Sequence, residues 1–270
     1  MDKGRVIMRL TSIASGSSGN CIYVGSEEAN ILVDAGISGK RIENGLKELD
    51  VDPGSLDAIL VTHEHMDHIA GLGVMARRYH LPLYMTEKTA EAVLHTKSVG
   101  KIDTGLFETI RPDHPFKIKD MAIDATSIWH DAADPVCYSI ESKGIKASVA
   151  TDLGNYYEGI VEKAKDSDIL FVEANHDINM LQVGPYPYYL KQRILSNRGH
   201  LSNDRSAQFL ADIISKNTQE VFLGHLSKEN NYAELAYETV KLFLQEHGIF
   251  SGFKMQVAKR DTVSDLALIE

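Results

Sequence analysis

Two histidines one residue apart, His63 and His65, are followed at once by Asp67 and His68, and this H-x-H-x-D-H string directly succeeds the apolar run 58–62. No other feature restricts the chain as strongly. An apolar run of that length reads as a buried strand, and residues i and i+2 beyond a strand end point the same way. His63 and His65 can therefore share one cation while Glu64 points elsewhere. Asp67 and His68 open a helix predicted over 67–79, whose first turn would fix them beside a second cation. A structural zinc site uses thiolates and fills its four positions, whereas this chain has two cysteines, Cys21 and Cys137, in no paired motif. A His/Asp set reads instead as an open, catalytic centre; a histidine-rich turn without metal is the competing reading.

The remaining ligands are sought where other strands stop. The stretch 122–129 ends in His130, the run 145–150 is followed by Asp152, and 220–223 is followed by Gly224 and His225. Two ions roughly 3.5–4 Å apart need a bridging carboxylate, and Asp152 is the natural bridge. The expected sets are His63, His65 and His130 with Asp152 for one ion, and Asp67, His68 and His225 with Asp152 for the other. Zinc, manganese and iron all accept such ligands.

Five motifs in this order resemble those of the metallo-β-lactamase superfamily over nearly the whole chain: Asp34 after the strand 30–34, the H-x-H-x-D-H string, His130, Asp152 and His225. The resemblance implies an α/β (α+β) fold, an αββα sandwich, in one domain spanning 1–270. True β-lactamases lack the histidine at the position of His68 and carry Cys at that of Asp152, so both residues point away from antibiotic hydrolysis. A finer resemblance, to the YycJ/WalJ (VicX) subfamily, rests on the stretches 14–20, 168–177, 185–194 and 199–203. It implies a phosphodiesterase of DNA exonuclease type, using a hydroxide activated by two divalent metals. The 199–203 and 224–227 stretches also parallel tRNA 3′-processing endonucleases, which puts His200 in the role of acid or phosphate contact and Glu173 in that of its orienting partner. On these resemblances the catalytic groups are Asp67, His200 and Glu173, and Asp34 tethers the histidine loop without touching metal. The interval between Asp152 and His225 leaves no room for the long arm or the inserted domain of other nuclease branches, and Val172 stands where the tRNA enzymes have His.

Strands are predicted over 6–13, 20–25, 29–34, 57–62, 82–85, 121–129, 136–142, 145–150, 168–173 and 219–224. Helices are predicted over 38–49, 67–79, 87–95, 155–165, 203–216 and 231–247, with Asn203 a cap for the helix that follows His200. The stretch 96–120 reads as a surface excursion. A chain of 270 residues, 43% hydrophobic, can bury one substantial core. No apolar run reaches the roughly 20 residues of a bilayer span, and residues 1–7 lack a signal-peptide core, which points to a cytoplasmic protein with reduced thiols.

A net charge of −10 decides little about the local field, because the acidic excess can lie away from the site. Lys191, Arg193, Arg198, Arg205 and Lys228 cluster in sequence around His200 and His225, and offer phosphate contacts to a DNA substrate. Ser17, Ser18, Asn20 and Ser202 join Lys191, Arg193 and Lys228 as expected substrate contacts. The serine-rich turn 15–19 is either a plain hairpin connection or a loop lining the groove; Tyr186, Tyr188 and Tyr189 either stack on bases or pack on the body. His176 is expected to support the ligands from behind or to stabilise its loop, rather than to bind metal. Two further readings stay open: hydrolysis of a small thioester or lactone, which needs no basic groove, and a regulatory partner of a two-component signalling system.

Overall fold

Burial sorts the strands into two facing sheets. In the computed structural model, which describes residues 8–270, the first sheet contains β1 (Met8–Ala14), β2 (Cys21–Gly25), β3 (Asn30–Val33), β4 (Ala58–Leu60), β5 (Leu83–Thr86) and β6 (Phe107–Ile110). The second contains β7 (Phe116–Ile118), β8 (Met121–Ser127), β9 (Val136–Ser142), β10 (Ile145–Ala150), β11 (Ile169–Glu173), β12 (Glu220–Gly224) and β13 (Lys254–Val257), while β14 (Ala267–Ile269) returns to pair with β1. Residues alternating along β8, with Met121, Ile123 and Ala125 inward, meet Leu10, Ile22 and Ile31 of the first sheet. Phe171 and Phe222 stack in this inter-sheet core at 5.8 Å between ring centres. Each such side chain contributes about 1.5–3 kcal/mol by leaving water.

Helices cover both outer faces. Ile42 and Leu46 of α1 (Gly39–Glu48), Met75 of α3 (Leu72–Tyr79) and Val93 of α4 (Glu87–His95) pack on the first sheet. Ile160 of α5 (Glu158–Ala164), Leu210 of α8 (Asn203–Ile213) and Val240 of α9 (Ala233–Glu246) pack on the second. Three short helices, α2 (Met66–Ile69), α6 (Ile178–Val183) and α7 (Tyr188–Leu195), lie between these. The result is the expected αββα sandwich.

Strand direction places the site. β3 runs parallel to β4, and β10 runs parallel to β11 and β12. β8 is antiparallel to β9, which is antiparallel to β10, so β8 shares that direction too. Asp34, His63, His130, Asp152 and His225 all follow the carboxyl ends of these strands, where open α/β sheets place their ligands.

Several expectations are corrected. The helix predicted over 67–79 is two helices, because the Gly71 amide donates to the Ala35 carbonyl at 2.8 Å and a Cβ on Gly71 would lie 2.1 Å from the Ile37 carbonyl oxygen. That close approach interrupts the helix and ties α2 to the loop after β3. Ser202, rather than Asn203, caps α8: its hydroxyl accepts from the Arg205 amide at 3.2 Å. Asn203 is buried and exchanges hydrogen bonds with Asn231. The stretch 96–120 holds β6 and β7, and the segment around Pro187 opens α7. Strand β1 begins at Met8; the predicted start at residue 6 lies outside the described residues. Among the described residues no helix is long and apolar enough to cross a membrane. Cys21 and Cys137 are free and buried, and burial pushes the Cys137 thiol up to about 12, so neither supplies a thiolate.

Candidate metal centre

Two ligand candidates and the aspartate behind the histidine loop hold a backbone that side chains avoid. Asp34, Asp152 and His225 have φ of 62°, 59° and 55°, a left-handed conformation that Asp and Asn tolerate better than most residues. It persists because the surroundings fix it. The His225 amide donates to Ser15 Oγ at 2.8 Å, and Asn175 Nδ2 donates to the His225 carbonyl at 3.0 Å. Asp34 accepts from the Thr62 amide and hydroxyl, both at 2.8 Å, and faces His68 Nδ1 at 2.7 Å. Its carboxylate therefore holds both ends of the histidine loop.

These contacts decide which imidazole nitrogen faces the centre. His68 turns Nδ1 to Asp34, leaving Nε2 at 3.2 Å from Asp152 Oδ2 and 3.6 Å from Asp67 Oδ2. His130 donates Nδ1 to the Gly199 carbonyl at 3.0 Å, so its Nε2 turns inward, 3.3 Å from His65 Nδ1. His63 Nδ1 lies 3.0 Å from Thr62 Oγ1, and its buried Nε2 has no partner. His225 Nε2 lies 3.3 Å from Asp67 Oδ2 and 3.5 Å from Asp152 Oδ1.

Four overlapping groups of possible ligand atoms result among the described residues; two match the expected sets, a third joins His63, His68 and Asp152, and a fourth Asp152, Glu173, His200 and His225. Ligand atoms of His63, His65 and His130 lie within 4.8 Å of one another, as do those of Asp67, His68 and His225, and Asp152 reaches toward both. Imidazole nitrogens converging on each other, one of them buried without a hydrogen bond, fit a cation between them: neutral imidazole and carboxylate oxygen are donors that zinc, manganese and iron accept.

The electrostatics agree. Burial drives the His63 imidazole well below its ordinary value, and positive charge on His68 adds to this. Burial opposes charge on His68 as well, but Asp152, Asp34 and Asp67 together raise it well above its ordinary value. His225 is likewise disfavoured by burial, yet Asp152, Asp67 and Glu173 lift it to about 10. Burial would raise the Asp67 carboxyl, but His68 and His225 hold it down at about 2. Carboxylates outweighing desolvation in this way make a centre of negative potential, suited to divalent cations.

Glu173, buried at the end of β11, organises the second side of the centre. Its Oε1 lies 2.7 Å from His200 Nδ1 and 3.1 Å from His225 Nδ1, while Oε2 accepts from the amides of Leu153 and Leu201 at 2.8 and 3.2 Å. His200 Nδ1 is also 3.5 Å from Asp152 Oδ1. Burial works against charge on His200, and Glu173 and Asp152 overcome it, raising its pKa. His200 borders a pocket of about 150 Å³ that Ser17, Asp131, Tyr186 and Arg193 also line.

Other expected substrate contacts are placed differently. Ser18 is exposed on the same loop as Ser17. Asn20 is buried, bonded to both Gly16 and the Asp67 carbonyl, so it braces the 15–19 loop against α2. Lys191 donates to the Gln182 and Gly184 carbonyls at the end of α6, at 2.8 and 2.7 Å. Arg205 stacks 4.7 Å from the Tyr156 ring centre, and Arg193 pairs with Asp131. Arg198 is exposed, Ser202 caps α8, and Lys228 lines a neighbouring cavity. Tyr186 lines the pocket, whereas Tyr188 and Tyr189 are exposed. His176 is buried with both ring nitrogens unpartnered, its imidazole pushed down by burial to about 4. Sequence reasoning passed over Thr62, Asp131 and Asn175, and took Ser15 only as part of the 15–19 turn. Of these only Thr62 and Asp131 carry a signal, a polar residue directly beside a predicted ligand.

Comparison with known proteins places these features in a lineage. A family model described as a β-lactamase superfamily domain matches residues 29–225. The chain is 38% identical over 254 residues to "Exodeoxyribonuclease YycJ" of Bacillus anthracis, covering 94% of this chain and 96% of that one. It is 39% identical over 259 residues to "Exodeoxyribonuclease WalJ" of Streptococcus pneumoniae serotype 2, covering 95% and 96%. Among solved structures, the metallo-β-lactamase fold protein YhfI of Bacillus subtilis superposes with a TM-score of 0.69 at 18% identity, over 96% of this chain and 99% of that one, a likeness of fold.

Proposed function

Because this chain belongs to the metallo-β-lactamase superfamily and, within it, to the YycJ/WalJ group, we propose that it is an exodeoxyribonuclease with two divalent ions bridged by Asp152. His63, His65 and His130 would hold one ion and Asp67, His68 and His225 the other, with Asp152 facing both sets. The observation that carries the reading is His200, fixed by Glu173 beside Asp152 and opening on a pocket shared with Ser17 and Arg193.

When bound, the ions supply a water of lowered pKa and an electrophile for a non-bridging phosphate oxygen. The chain does the rest. Glu173 accepts from His200 Nδ1, so Nε2 is the nitrogen left for the substrate. Glu173 and Asp152 raise the pKa of His200, which favours a proton on Nε2 to be given to the departing oxygen or to offset its charge. Asp34 and Thr62 keep the histidine loop in register, and Asn175 and Ser15 hold His225 in its constrained backbone. Arg193 presents a cation at the pocket, its position set by Asp131.

The direct test is digestion of end-labelled single- and double-stranded DNA by metal-loaded protein, run beside a panel of thioesters and lactones. Progressive loss of terminal nucleotides is expected, with binding that weakens steeply as salt rises because counterions are released. Turnover of the small esters with DNA untouched would overturn the reading.

Metal loading carries its own expectation. Carboxylates raise the pKa of His225, to about 10, and that of His68, so a metal binding at neutral pH must displace protons there. Affinity should therefore increase with pH from 6 to 9, by roughly tenfold per unit for each proton displaced. Calorimetry in buffers of different ionisation enthalpy measures the release directly. Binding with no proton released would contradict it.

A further inference from the structure

The loop 15–17 and the segment 226–228 stand between two cavities. Ser17 and Ser227 line the pocket of His200, whereas Ser15, Leu226 and Lys228 line a second cavity of about 300 Å³. Lys259 and Arg260, from the segment after β13, supply two more cations to its wall, and among the described residues no carboxylate lines it. Lys259 pairs with Asp265 at 3.0 Å. Among the described residues Lys228 and Arg260 have no acidic partner. Arg260 Nη2 donates to the Leu226 carbonyl at 2.7 Å, and its buried Nη1 has no hydrogen-bond partner among the described residues. Gly16, at φ 148°, makes room for this group: a Cβ there would lie 2.4 Å from Nη1.

Helix α9 begins at the same wall. Ala233, its first residue, lines the cavity, and Tyr232 caps the helix without a side-chain hydrogen bond. Its leading amides therefore add positive potential. Glu234, in the first turn, is exposed and does not line the cavity. Tyr232 is 53% exposed, enough to offer a ring face. Unneutralised guanidinium and ammonium groups around a cavity, with a helix start among them, select an anion.

We propose that this cavity is a second phosphate subsite, which grips the backbone of the same polynucleotide strand away from the scissile bond, with Tyr232 stacking on a base. The proposal rests on the nuclease reading. The subsite is coupled to the metal centre through its own wall, since Ser15 accepts from the His225 amide and Lys228 lies three residues beyond His225. A strand held there and at His200 at once is fixed across the ions.

The test uses metal-loaded protein and a fluorescent phosphorothioate oligonucleotide, which keeps the backbone charge and resists cleavage, with anisotropy read from low to moderate salt. Lys228→Ala and Arg260→Gln should each weaken binding about 5–10-fold at low salt and reduce the slope of log affinity against log salt by about 0.7, the single-strand value per phosphate contact. Lys117→Ala, which removes an exposed charge from the edge strand β7, should change neither. If Arg260→Gln unfolds at lower temperature, Lys228→Ala decides, because that side chain is exposed and makes no structural bond. Variants that behave like Lys117→Ala while the wild type binds and digests DNA would overturn the subsite alone. Wild type that neither binds nor digests DNA would overturn the nuclease reading beneath it.

Discussion

Asp152→Asn is expected to abolish turnover and to leave the dialysed protein short of metal. Asn occupies the same volume and tolerates the left-handed backbone at φ 59°, so the loop after β10 should keep its shape while losing its charge. That charge faces His68 Nε2 at 3.2 Å, His225 Nε2 at 3.5 Å and His130 Nε2 at 3.7 Å. Among the described residues no other carboxylate reaches toward both clusters, and two cations a few ångströms apart repel strongly without a shared anion. The loss in metal affinity should exceed the roughly 10–100-fold that follows when a carboxylate hydrogen-bonded behind a ligand is removed. Asp34→Asn, which touches no other cluster, supplies that milder reference. Elemental analysis after dialysis, set against circular dichroism to confirm folding, reads both variants. An Asp152→Asn protein that retains two tightly bound metals would remove the bridge from the assignment.

His200→Ala should lower turnover by roughly 10²–10⁴, the range for a missing general acid, with metal content near wild type. The sign of the pH effect follows from the raised His200 pKa. Protonated His200 is the active form, so at saturating metal wild-type activity should fall as pH rises through that pKa, and the variant should lack this alkaline decline. Loss of metal along with activity would make His200 a ligand. Glu173→Gln is a different case, because Glu173 faces His225 as well as His200. It should weaken metal binding by roughly 10–100-fold and lower turnover at saturating metal. The paired readout separates a residue that positions two histidines from one that touches substrate.

The histidine string was legible because its members are neighbours in the chain, so strand and helix geometry alone brings His63, His65, Asp67 and His68 together. His130, Asp152 and His225 were legible through a weaker rule, that polar residues at strand ends collect on one edge of parallel sheets. The roles of Glu173 and His200 came from resemblance, since nothing in their local pattern says that a glutamate at the end of β11 will meet two imidazoles. The basic residues show the limit of reading by proximity in sequence. Lys191 closes the end of α6, Arg205 lies on Tyr156, and Arg193 reaches the pocket of His200 only in partnership with Asp131. Arg260 drew no attention, yet it lies under Gly16, 244 residues earlier in the chain. Strands β6, β7, β13 and β14, of three or four residues each, carry too little periodicity to register. They exist because each adds to an edge already built.

The sequence by itself placed the His and Asp residues at strand ends, because apolar periodicity and the chemistry of these side chains are local properties, and the layer order came with the family resemblance. Only the tertiary structure decided which ring nitrogen each histidine turns to the centre, and that Glu173 serves two of them. It also decided which cations stay free for an anion. Those outcomes depend on partners brought from distant strands, on carbonyls such as that of Gly199, and on burial, which makes each unpaired charge count.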